Sequence, residues 1–351
     1  RGASVTLLAG NTDPALLEVM GNTFVFVLGS ATLATVLALF LAYLNNRTDM
    51  PFRFLFKIIP VVPMMIPHIL FSVSWVLLLN PSNGIFNLIL KQLFSLDKAP
   101  LSIYSMPGMI LVEGLLDLPI AYLIIAPAMA SFDVALEESS RVCGAGNSRT
   151  LRRITLPVLR PAILAAFVLC VIRCLASFAV PSVIGMPGRI YVLATHLYQM
   201  ISTGFQADYG MASAVGMSVL AASIGLIYLY RYFTSAGERF VTISGRGYKP
   251  TVIRLKRAKV PLFIILGLLS LVLIVLPVAA LFYISLVPYS MVPGARAFAA
   301  MSFKHWTAVL KDPISLLSLK NSLFLGVFGA SLGVTLSVFV SYVIVKVKTK
   351  S

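Results

Sequence analysis

Long apolar runs separated by short polar stretches set the pattern of this chain from Phe24 to Val345. A bilayer core about 30 Å thick needs about 20 apolar residues per helix, and a helix satisfies its own backbone polar groups in lipid. Seven segments reach that length: Phe24 to Leu44, Ile58 to Asn80, Met106 to Phe132, Pro161 to Gly185, Tyr209 to Tyr230, Val260 to Pro288 and Ser322 to Val345. The pattern therefore predicts an all-α polytopic membrane protein with about seven transmembrane helices. Five of the segments carry no charged residue; the third carries Glu113 and Asp117, and the fourth carries Arg173 midway along it. Gly84 to Phe94 and Ile190 to Ile201 read as short amphipathic pieces lying at an interface. Pro60, Pro63 and Pro67 each remove a helical donor from the second segment, so that segment is expected to be broken or kinked. Irregular backbone at membrane depth is tolerated where it is buried in protein or lines a cavity, which places residues 60–68, Pro63 and Pro67 among them, beside a pathway.

Composition agrees with this solvent. Of 351 residues, 59% are hydrophobic and 11% charged, against about 25% charged in an ordinary soluble domain. The net charge of +16 does not point to nucleic acid, because the basic residues sit in short loops between apolar runs and form no recognisable binding module. Alternate loops at 45–57, 132–160, 231–259 and 346–351 hold 19 of the 28 basic residues. Cytoplasmic loops retain positive charge, so this set is expected inside and residues 1 to about 20 outside. The chain opens on Arg1, and its first apolar run lacks the basic leader and cleavage site of a signal peptide, as though a start were missing.

A shift of 299 residues superposes the first apolar run on the last. Asn22 meets Asn321, Thr23 meets Ser322, Ala31 meets Ala330, Leu37 meets Leu336, Phe40 meets Phe339 and Tyr43 meets Tyr342. Ser30 and Ala34 fall on Gly329 and Gly333, a four-residue spacing of small side chains that lets helix backbones approach closely. Structural repeats are common in transporters. On this reading, residues 1–250 form one half lacking its first helix, residues 251–351 begin a second half, and both ends are cut.

The most specific stretch is the loop Leu136 to Pro157. Glu137 and Glu138 fall in the first turn of a short helix, Val134 to Cys143, where a helix dipole favours them, and Asp133 supplies a capping carboxylate. Gly144 and Gly146 are suited to end that helix in a left-handed turn. A second amphipathic run, Ser148 to Ile154, carries Arg149, Arg152 and Arg153 and stops at Pro157. Such a helix-turn-helix suits a groove on a partner protein. Glu138, Ser139, Ser140, Gly144, Ile154, Leu156 and Pro157 stand at the spacing of the EAA motif, which the loop resembles: Glu, two small residues, a Gly four positions on, then Ile-x-Leu-Pro. Ser-Ser stands where that family usually has Ala-Ala. The chain thus resembles the permease subunits of binding-protein-dependent ABC importers, of the type I, MetI-like fold. Ser177 to Pro187, Ile190 to Tyr198, Asp208 to Gly210 and Ile243 to Pro250 extend the resemblance to the fused, two-half permeases of ferric iron and thiamine uptake.

That resemblance implies a coupling element docked on a dimer of separate ATPase subunits, with Glu138 as an ionic contact, Gly144 as the turn and Ile154, Leu156 and Pro157 as the anchor to the next span. It also implies a periplasmic or extracellular solute-binding protein as partner, and an inner-membrane location with the loop in the cytoplasm. ATP would be bound by the partner, so the chain itself needs no cofactor. No HExxH, GxSxG or Walker A pattern occurs, which disfavours an enzyme. His68, His196 and His305 are scattered without metal-ligand spacing, and Cys143, Cys170 and Cys174 read as small packing residues. Glu113 and Asp117, four residues apart on one helical face, and Arg173 are expensive in lipid and so are candidates for the pathway or for an ion pair between helices. A proton relay through the same three residues is the alternative, an ion-gradient-driven transporter. Ferric iron leads among cargoes, with thiamine, polyamines and phosphonates open.

Overall fold

The computed structural model describes residues 14–131, 133–202, 209–238, 253–291 and 293–346. In chain order its principal helices are α1 (Pro14–Arg47), α2 (His68–Leu79), α3 (Ile85–Phe94), α4 (Met106–Ser131), α5 (Ala135–Val142), α6 (Asn147–Leu175), α7 (Leu193–Ser202), α8 (Tyr209–Glu238), α9 (Lys256–Leu286) and α10 (Pro313–Lys346). The fold is helical, with one isolated parallel bridge, Thr48 to Ile253, as the extended pairing among the described residues.

Among the described residues six helices, not seven, are long and apolar enough to cross a membrane: α1, α4, α6, α8, α9 and α10. The second expected span is broken: a six-residue helix, Arg53–Ile58, ends where the span is expected to begin, and a 3₁₀ turn at Val62–Met65 and the 12-residue α2 follow. The prolines explain this, since Pro60, Pro63 and Pro67 leave too few consecutive N–H donors for one ladder. The fourth segment is displaced from its expected limits. Its helix opens at Asn147 rather than Pro161 and closes at Leu175 rather than Gly185, which puts Arg173 in its last turn rather than midway. Pro157 does not stop it. The ladder widens to a π turn over Leu151–Thr155, where the Leu156 N–H bonds the Leu151 carbonyl, and this makes room for the proline ring. The amphipathic pieces are present as α3 and α7.

The chain divides into two compact units, Arg1–Leu281 and Phe282–Ser351. In the first, α1, α4 and α6 pack on one another and α8 packs on α6. Ser30, Ala34, Ala38 and Ala42, four residues apart along α1, are all fully buried. Small side chains there let the helices close without a hydrophobic drive, which lipid does not supply. The approach is tight at two glycines: a Cβ on Gly114 would stand 2.8 Å from Leu33, and one on Gly29 would stand 2.7 Å from Ile110.

In the second unit, the Leu286 carbonyl accepts from the Ser302 N–H at 2.8 Å, and the Trp306 indole N–H donates to Ser285 at 3.0 Å. Asp312 caps α10, accepting from the Ser315 N–H at 3.0 Å and the Ser315 hydroxyl at 2.6 Å. Pro313 follows at the first helical position, where its missing N–H costs nothing. The dipeptide Asp312-Pro313 recurs as Asp13-Pro14 at the same 299-residue shift, and the buried seam of α1 falls on Gly329, Gly333, Ser337 and Ser341.

Candidate functional site

The loop between α4 and α6 folds as a helix, a turn and a second helix. Asp133 accepts from the Ala135 N–H at 2.9 Å, which meets one of the donors that an opening helix leaves free. At the other end Gly144 adopts φ +83°, the left-handed region. The Ala145 N–H bonds the Ser140 carbonyl and the Gly144 N–H bonds the Arg141 carbonyl, so the turn satisfies two carbonyls of α5. Gly146 differs from the expectation. Its φ of −71° and ψ of 161° are extended, because its role is to precede α6 rather than to end α5. The two arms are fastened by the Ser140 and Thr150 hydroxyls, 3.0 Å apart.

Of the residues singled out by spacing, Glu138, Ser140, Ile154 and Leu156 are half-buried, while Ser139, Gly144 and Pro157 are exposed. Leu136, Val142 and Cys143 add exposed apolar surface at the tip. Beside the turn, Gly144, Asn147 and the guanidinium-bearing Arg149, Arg152 and Arg153 line an open, basic depression.

The neighbouring residue Glu137, passed over in favour of Glu138, is the one that anchors the loop. Its side chain is 2% exposed and accepts from Arg47 Nε at 3.1 Å, with Arg47 itself 4% exposed. The Thr155 hydroxyl donates to the same oxygen at 2.8 Å, and Arg141 approaches the other at 3.5 Å. One carboxylate thus joins the last residue of α1, the loop helix and the π turn of α6. The adjacent chain is held there too. The Ile253 N–H bonds the Arg47 carbonyl at 2.9 Å, and Asp49 accepts from the Leu255 N–H at 2.9 Å and from Lys259 Nζ at 3.2 Å. The Leu255 N–H, with help from Lys259, holds the Asp49 carboxyl below its ordinary range. A sequence signal for Glu137 existed: it lies three residues after Val134, which is buried, and therefore on the same face of α5.

A second constellation lies where α2, α4 and the end of α6 meet. Glu113 and Asp117 are buried, and Arg173 Nε donates to Asp117 Oδ1 at 2.9 Å. The Cys174 thiol donates to Asp117 Oδ2 at 3.1 Å, and the Ser177 hydroxyl donates to Glu113 Oε2 at 2.9 Å. Arg173 also reaches His68 Nε2 at 3.2 Å. A cavity of about 350 Å³ opens there, lined by His68, Glu113, Arg173 and 176–179. The broken segment delivers His68 to this cavity; Pro63 is buried and Pro67 exposed, and neither lines it. Sequence spacing singled out the three charges but not Cys174, in the last turn of α6, or Ser177, two residues beyond its end. Asp208 and the stretch Ile243 to Pro250 lie outside the described residues.

The family described as "Binding-protein-dependent transport system inner membrane component" matches residues 34–236. Among curated proteins, the ferric transport system permease protein FbpB of Actinobacillus pleuropneumoniae is 30% identical over 68% of this chain and 34% of its own length. The galactooligosaccharides transport system permease protein GanP of Bacillus subtilis is 28% identical over 60% of this chain and 53% of its own. The chain thus spans about a third of the length of the first of these relatives. A solved structure, that of a bacterial alginate ABC transporter in complex with an alginate pentasaccharide-bound periplasmic protein, has a chain of similar fold. The TM-score is 0.54 at 22% identity, covering 68% of this chain and 83% of that one. With a family match over more than half its length, the chain belongs to the inner-membrane components of binding-protein-dependent transport systems.

Proposed function

We propose that this chain is the permease subunit of an ABC importer, forming part of the translocation route while a separate ATPase dimer supplies the energy. The observation that carries the reading is the loop at 133–157: an EAA-like sequence folded as a helix-turn-helix, anchored from below by Glu137 and presenting Ser139, Val142 and Gly144 outward, with Glu138 half-buried beside them. In this reading Glu138 makes the ionic contact to the ATPase, Gly144 fixes the turn, and Ile154, Leu156 and Pro157 carry movement into α6. ATP stays with the partner. The basic loops then lie in the cytoplasm, by the excess of Lys and Arg on that side, and a solute-binding protein delivers cargo from the other.

Ferric iron is the leading cargo, supported by the FbpB relative. The shared Asp-Pro openings and small-residue seams of α1 and α10 support two repeated halves, with 1–250 in the first and 251–351 beginning the second. The experiment is co-purification of the ATPase with the tagged protein. Retention by the wild type and loss on Glu138→Lys or Gly144→Pro is the expected result; transport that persists without ATP and collapses with the proton gradient contradicts the proposal.

A further inference from the structure

We infer that Glu113, Asp117 and Cys174 form a transit site for a transition-metal cation, entered from the cavity at His68, with Arg173 as the built-in counter-ion that the metal displaces. The inference rests on the importer reading only for calling the metal cargo. One ligand atom from each of the three residues lies within 4.8 Å of the others, the separation that ligands of one ion require, and all three residues are buried. Two carboxylates and a thiol are a donor set for a first-row transition metal.

The charge balance points the same way. Two carboxylates face one guanidinium, and that guanidinium is committed to Asp117. Glu113 is 3% exposed, has no cation partner among the described residues, and keeps a single hydrogen bond, from Ser177 to Oε2. The residue also lines the cavity. A buried carboxylate without a counter-charge is costly unless a proton or a cation neutralises it, so a cation bound here takes the place of a proton on Glu113. The α6 helix ends here as well, at Leu175, and its C-terminal dipole adds negative potential.

Arg173 makes binding reversible. Its side chain is 37% exposed while Asp117 is fully buried, so the guanidinium can leave toward the cavity and keep its contact with His68. An arriving cation takes Asp117 and Glu113, and the Cys174 thiol coordinates as thiolate; the protons of the Glu113 carboxyl and the Cys174 thiol pass to cavity water. On release, Arg173 returns to Asp117. A conducting site must bind well enough to be entered and weakly enough to be left, and a tethered competing cation meets both conditions.

The test uses Co²⁺ with the purified protein in lipid nanodiscs, in a Cys143→Ser background because Cys143 is exposed. Expected are one bound Co²⁺ per chain, a thiolate-to-cobalt charge-transfer band absent from Cys174→Ser, and affinity about tenfold or more weaker in Glu113→Gln. Glu113→Gln keeps the acceptor for Ser177 and so preserves packing. Arg173→Met should tighten binding, and Arg173→Lys, which keeps the charge, should not. No saturable Co²⁺ binding, a band that survives Cys174→Ser, or unchanged affinity in Glu113→Gln overturns the inference. ATPase co-purification, read on the same samples, separates the two ideas: ATPase retained without cobalt binding sinks the metal site alone.

Discussion

Removing the Glu137 carboxylate should detach the loop from α1 while leaving the membrane bundle folded. Arg47 is almost wholly buried beside that carboxylate, and taking one partner from a buried ion pair costs about 3–5 kcal/mol because the other charge loses that counter-ion. Loss of the Thr155 hydrogen bond adds about 1 kcal/mol. At roughly 1.4 kcal/mol per factor of ten, Glu137→Ala should speed hydrogen exchange at the amides of 135–155 by roughly 100-fold or more. The double change Arg47→Met with Glu137→Met places apolar side chains of similar length face to face, and such replacements of buried pairs are often neutral or stabilising. Exchange in the double variant should therefore return most of the way to wild type. The assay is amide exchange by mass spectrometry in nanodiscs, with peptides of α4 as the internal reference. Unchanged exchange in Glu137→Ala, or a double variant as fast as the two single effects combined, refutes the clamp.

Other consequences follow from the same geometry. Gly144→Ala forces a side chain into the left-handed region at φ +83° and should cost about 1–2 kcal/mol, read as faster exchange across 140–145, with Gly144→Asn milder. Gly114→Val adds methyl groups where a Cβ already meets Leu33; overpacking of about 1–3 kcal/mol should lower the thermal midpoint in detergent. Arg173→Ala alone strands Asp117, so assembly should suffer more than in Arg173→Ala combined with Asp117→Ala, measured as yield of folded protein by size exclusion. Asp49 is held below its ordinary 3.8 by the Leu255 N–H first. A lowered folded value means that its contribution is complete above the unfolded value and lost as the pH falls through the folded one. Protection of the Leu255 amide should thus hold from neutral pH to about 5 and decline below about 4, and Asp49→Asn should abolish that dependence.

Much of this was legible in the chain, because hydrophobic runs, proline breaks and the spacing of the loop are local properties. The limits of α4 follow from apolar length alone, whereas α1 opens before Phe24, at Pro14, and α8 runs past Tyr230 to Glu238. The second segment shows the same rule from the other side: its hydropathy spans a bilayer, and its three prolines break the ladder. What local pattern does not reveal is which face of a helix meets another. Glu137 and Glu138 are alike as neighbours in sequence, yet about 100° of helical rotation buries one against Arg47, 90 residues away, and leaves the other only half-buried. Cys174 reads as a packing residue and Ser177 carries no signal of its own, because their partners, Asp117 and Glu113, come from another helix. The π turn at 151–155 was missed for a related reason. Pro157 reads as a stop, but a helix held on both sides by Glu137 and the bundle absorbs it by widening one turn.

The central claim is that the loop at 133–157 is a cytosolic lever gripped by an ATPase. Cys143 is exposed at the tip of that loop while Cys170 and Cys174 are buried, so the natural protein carries its own reporter. A membrane-impermeant maleimide should label Cys143 in inside-out vesicles and not in intact cells, and the bound ATPase should shield it. Labelling of Cys143 from the outside of intact cells contradicts the account.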